Sequence, residues 1–259
     1  MSRKWVIATG VAAAVLASLA AGSPLFAVRN GAPDARQHPA VGFIFAQQTD
    51  PAVCKAEVAG CHGVLIAPDV FLTSGYCAAA FSDPFLSGLN LTAVWVSLNS
   101  DNPFDCSTAI KVREFYVHPG FDETARDAAN DVGMMILDTP SSAAPATLPA
   151  AGGLDSLNRG DLLTVVGYGG VTGQNILEYV RRSGPASLRN SDTETLISRF
   201  DNRDQCTAGF EEGAGTFIGS TNELAGLAVL FSGPCRKVVS QRLDTPGVRD
   251  FLGSFVTLP

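Results

Sequence analysis

The chain has 259 residues, of which 46% are hydrophobic and 17% charged. That is enough apolar material for a substantial core and too little charge for a disordered chain. The formal charge is −7, and removing residues 1–27 takes away two basic and no acidic side chains, which moves it to −9. Nucleic acid and anionic membrane surfaces both need clustered cations, so neither is expected as a partner.

Residues 1–27 read as a secretory signal peptide. Arg3 and Lys4 form the positive end, Val6 to Ala21 the Ala-rich apolar stretch, and Ser18-Leu19-Ala20 and Leu25-Phe26-Ala27 offer small residues for cleavage. A membrane anchor is the competing reading, but the apolar run falls short of the roughly 20 residues a span needs. The expectation is a secreted protein with no membrane contact once the signal is removed. Six cysteines, all beyond residue 27, are an even set behind a secretory signal and imply disulfides. No Cys-x-x-Cys, His-x-x-x-His or His-Glu-x-x-His spacing occurs, so neither a metal nor another cofactor is expected.

Gln37 to Phe45 reads as a first strand. Between Cys61 and Cys77, Val64-Leu65-Ile66 and Val70-Phe71-Leu72 flank the turn residues Pro68-Asp69, a hairpin with a cysteine at each end. Leu91 to Leu98 alternates as a strand, and Asn90-Leu91-Thr92 before it is a glycosylation sequon. Val112 to Tyr116 is a further strand. Ser141 to Gly153, rich in Ala, Pro, Ser and Gly, reads as a linker. Leu162 to Val166 opens a second series of strands, and Leu188 to Phe200 adds to it. At the end Thr245 suits a cap, Pro246 a first helical position, and Val248, Phe251, Leu252 and Phe255 share one helical face.

Several of these segments together resemble the trypsin-like serine proteases (chymotrypsin fold, peptidase S1). The stretch from Cys61 to Cys77 has that family's cysteine, glycine, apolar strand and Leu-Thr in order, but Tyr76 stands where the family has its catalytic histidine. His38-Pro39, Val117-His118-Pro119-Gly120-Phe121, Asn130-Asp131-Val132-Gly133, Gly167-Tyr168-Gly169 and Thr245-Pro246-Gly247-Val248 fit the same pattern. The resemblance covers about residues 28–256. It implies an all-β fold of two antiparallel β-barrels, about 28–140 and about 154–259, with a C-terminal helix packed on the second barrel. It also implies disulfides Cys61–Cys77 and Cys206–Cys235, which leaves Cys54 with Cys106. His38 is expected as a surface-to-core transition residue with no chemical role, and His118 as a structural loop residue.

The resemblance makes Asp131 the carboxylate that would orient the catalytic imidazole. The nucleophile falls on Glu212 when Glu211-Glu212-Gly213-Ala214-Gly215 is laid over the family's D-S-G-G-P, and on Phe210 when the count starts from Cys206. Neither register supplies Ser, Thr or Cys. Asp204 matches the floor of the specificity pocket, with a solvated loop residue as the plain alternative. Val28 is either the inward-folded first residue of the mature chain or an ordinary terminus. His62 is a remote candidate for a substitute base. Tyr76, Asp131 and Glu212 are therefore expected as a degenerate triad in a serine protease homologue, a pseudoenzyme that binds an extracellular protein or peptide. The alternatives are an active S1 endopeptidase, or another hydrolase with an atypical site.

Overall fold

A computed structural model describes residues 28, 31–50, 52–82, 90–125, 128–168, 171–172, 176–177, 179–202, 212–230 and 236–259. The predicted signal peptide, Asp204, Phe210, Glu211, Cys206 and Cys235 lie outside the described residues.

The first barrel closes in the order β2 (Val41–Gln47), β3 (Val58–Ala67), β4 (Val70–Thr73), β7 (Gly133–Leu137), β6 (Ile110–Val117) and β5 (Ala93–Ser97), each pair antiparallel. The expected hairpin is β3–β4, with Val64 opposite Leu72 and Leu65 opposite Phe71. The second sheet runs β1 (Ala32–Pro33), β11 (Arg181–Ser191), β12 (Thr195–Phe200), β15 (Lys237–Arg242), β14 (Leu224–Leu230), β13 (Gly215–Ile218) and β8 (Leu162–Tyr168). Pairing of β11 with β8 closes six of these strands into the second barrel. Closure leaves no barrel edge open to pair with another chain. Short strands β9 (Val171–Thr172) and β10 (Ile176–Leu177) pair with each other alone.

A helix, α1 (Gly75–Ser82), follows β4 directly. Sequence reading assigns no helix there. The cause is local: the Ser74 hydroxyl accepts the Cys77 N–H at 3.1 Å, an N-cap bond, and Ala78-Ala79-Ala80 favour helix once it has started.

Each barrel is completed by a segment from outside it. Val28 is fully buried among Val165, Ala186, Phe200, Ala214, Ala228 and Val238, the inner cluster of the second barrel, and β1 pairs with β11 of that barrel. At the other end, α2 (Pro246–Leu252) sets Phe251 edge-on to His118, and Phe255 beyond it edge-on to Tyr116. Both partners belong to the first barrel, so the expectation of a helix packed on the second barrel is corrected. Pro246 does occupy the first turn, but the Thr245 side chain makes no capping hydrogen bond.

His38 is also corrected. It is not a surface-to-core transition residue: it is buried, its N–H donates to Asp34 Oδ2 at 3.0 Å, and its Nδ1 lies 2.6 Å from Asp34 Oδ1. Asp34 Oδ2 also receives Arg181 Nε–H at 3.0 Å. Arg181 is the largest of the fully buried side chains. Its Nη1 donates to the carbonyls of Val41 and Leu98 in the first barrel and to the Tyr168 hydroxyl in the second. This group pins the N-terminal strap and both barrels at one point.

Candidate functional site

Tyr76 lies in the first turn of α1 and Asp131 in the loop before β7. Asn130, in the left-handed region at φ 59°, turns the chain just before that carboxylate, a conformation Asn tolerates better than most residues. Asp131 Oδ1 accepts the Tyr76 backbone N–H at 2.9 Å, and the Gly75 N–H also bonds to this carboxyl group. Both donors are backbone amides at the start of α1. Asp131 is 5% exposed. Burial pushes its carboxyl up to about 6, against the opposing pull of the two amides.

That shift has a direct consequence for stability. Between the ordinary carboxyl range at 3.8 and about 6, the native state holds a proton that the unfolded chain has released. Stability therefore falls as pH rises through this window, by about 3 kcal/mol in all. Asp131→Asn keeps an oxygen for the amides and cannot ionise. It is expected to flatten this part of the profile and to exceed the parent in stability at pH 7, as read by denaturant unfolding across pH.

Glu212 comes from the other barrel, in the turn that leads into β13. Its carbonyl accepts the His62 N–H at 2.9 Å and lies 3.7 Å from the Cys77 sulfur. Cys77 is bonded to Cys61. The next residue, Gly213, has φ 85°, and a Cβ there would sit 2.0 Å from the His62 oxygen, so this approach admits only glycine. The Tyr76 hydroxyl is held above its usual range first by burial, then by the charges of Glu212, Glu123 and Asp131. Asp131 thus holds the start of α1, the Glu212 carbonyl reaches the sulfur one residue beyond Tyr76, and the charge of Glu123 also acts on the Tyr76 hydroxyl. Glu123 carries no motif, and nothing in the sequence singles it out.

The histidines lie elsewhere. His62 is buried, stacked on Tyr168 and edge-on to Phe43, with Nε2 3.2 Å from the Tyr168 carbonyl oxygen. His118 Nδ1 accepts the Gly120 N–H and its Nε2 donates to the Gly247 carbonyl, a structural bridge to α2. Cys54 is bonded to Cys106. Asn90 is exposed. Among the described residues, no group of His, Cys, Asp and Glu is placed to hold a metal ion.

The trypsin family profile matches residues 32–219. No curated protein matches. Among solved structures, HL collagenase superposes with a TM-score of 0.69 at 16% identity, over 89% of this chain and 100% of that one. Human heparin binding protein gives 0.65 at 15%, over 90% and 99%. The VesB protease of Vibrio cholerae gives 0.64 at 17%, over 87% and 67%. At these identities the structures speak for the fold.

Proposed function

Because the chain belongs to the trypsin family, we propose that it is a secreted member that acts by binding a protein or peptide and does not cut it. What supports this is the replacement of chemistry at the positions the family pattern marks: Tyr76 where it has its base and Glu212 or Phe210 where it has its nucleophile, with Asp131 bonded to the Tyr76 N–H. A phenol and a carboxylate stand in for imidazole and hydroxyl, so the place remains while the chemistry is gone.

Charge points to the kind of partner. Glu212, Glu123 and Asp131 all act on the Tyr76 hydroxyl, and the chain as a whole carries −7. A heparin-like polyanion, the ligand for which human heparin binding protein is named, would meet repulsion here. A Lys- or Arg-bearing extracellular segment would meet attraction. The mature protein is expected to retain basic peptides from a mixed library, to release them as salt rises, and to lose much of that retention in Glu212→Gln. Mass spectrometry of the eluate checks both halves of the reading. Intact basic peptides support it, and peptides recovered cleaved, or retention without regard to charge, overturn it.

A further inference from the structure

A separate cavity lies away from Tyr76 and Glu212, with a volume of about 350 Å³. Its charged lining residues are Arg36 and Arg181, with Ser141, Ser142, Asn99 and Thr108 among the polar ones. No carboxylate lines it, in a chain where acidic residues outnumber basic ones 25 to 18.

Arg181 is 2% exposed, and most of its guanidinium is accounted for. Nε–H goes to Asp34, and Nη1 goes to Val41, Leu98 and Tyr168. No hydrogen bond of Nη2 is formed among the described residues, which leaves its donors available at the cavity that Arg181 lines. The Ser141 hydroxyl accepts the Ala143 N–H at 3.1 Å and keeps its own proton to donate. Arg36 has no ion pair or hydrogen bond among the described residues, and its backbone is at φ 66°, following Ala35 at φ 49°. Asp34 neutralises Arg181, so Arg36 sets the excess at one positive charge.

We propose that this cavity is a binding site for a small oxyanion, held by the Nη2 edge of Arg181, the Arg36 guanidinium and the Ser141 hydroxyl. A guanidinium edge and an added hydroxyl donor match two or three oxygens of one phosphate, sulfate or carboxylate group. The site is independent of the peptide-binding reading, since it shares no residue with the Tyr76 region.

The test uses the mature chain, inorganic phosphate and acetate as probes, and sodium chloride at matched ionic strength. Phosphate stabilises many proteins non-specifically, so the decisive quantity is the difference between variants. Arg36→Asn removes the charge and suits the left-handed backbone, so its fold is preserved. Ser141→Ala removes the hydroxyl. Titration calorimetry is expected to show phosphate binding to the parent, weakened at least about tenfold in Arg36→Asn and measurably in Ser141→Ala. The ligand-induced rise in unfolding temperature should shrink in parallel. An equal response to acetate assigns the site to carboxylates, for instance of an acidic peptide, and a phosphate-only response assigns it to a free tetrahedral anion; either supports the site. Heats no larger than with chloride, or variants that bind and stabilise like the parent, overturn it.

Discussion

Assayed on chromogenic peptides, the mature chain is expected to turn over about 10⁶-fold more slowly than a trypsin-family enzyme with an intact triad. Amide cleavage in this fold needs a hydroxyl nucleophile, a base near neutral pKa and donors for the oxyanion. The base position holds Tyr76, whose hydroxyl has an ordinary pKa of about 10 and is pushed higher by burial and by three carboxylates. It keeps its proton at neutral pH and takes none. The family pattern lays Glu212 or Phe210 over the nucleophile; neither side chain is a hydroxyl, and a carboxylate there would also oppose a developing oxyanion. Asp131 accepts the amides of Gly75 and Tyr76 and has no imidazole beside it to orient. A fluorophosphonate probe should leave the protein unlabelled, and Tyr76→Phe and Glu212→Ala should leave the residual rate unchanged. Labelling of the parent, or a measurable hydrolysis abolished by Glu212→Ala, would restore the enzyme reading.

Asp34→Ala is expected to cost about 4 kcal/mol in unfolding free energy. The Asp34 side chain is fully buried and that of Arg181 is 1% exposed. Removing the carboxylate leaves a buried guanidinium without its counter-charge and strips His38 of both bonds to Asp34. Burial alone would raise the Asp34 pKa, but the hydrogen bonds from His38 and the charges of His38 and Arg181 prevail and hold it below the usual carboxylate range. The stability this contributes is present above the ordinary carboxylate pKa and is lost as pH falls through the lowered native value. Denaturant midpoints of the parent, Asp34→Ala, Arg181→Met and the double variant form the check. The double variant should lose clearly less than the sum of the singles, because the two residues share one interaction. A loss under about 1 kcal/mol in Asp34→Ala would mean that water replaces the carboxylate.

Local patterns carry far in this sequence. The Val64–Leu72 hairpin, the strand that starts at Leu162 and the Pro246 helix start each lie within a few residues of their own signals. A family pattern marks Tyr76 and Asp131 independently, and the structure joins them through the Tyr76 N–H. What escapes is set by distance or by neighbours. Asp34 and Arg181 are 147 residues apart, and no short motif announces a charge pair that forms only after both barrels meet. His38, read next to Pro39 alone, gives no sign of the carboxylate four residues back. Glu123 acquires meaning only because the fold carries its loop toward Tyr76. Helix α1 is hidden by the strand before it, since Leu72-Thr73 runs straight into Ser74 and only the cap bond marks the change.

The exchange of segments between the barrels bears on autonomy. A strap that includes Val28 completes the inner cluster of the second barrel, and the aromatic face of α2 and the residues after it cover the first. Neither half carries all of its own parts. A cut in the 141–153 connection would leave two fragments still clasped by each other's ends, whereas either barrel produced by itself would lack a piece that its partner holds.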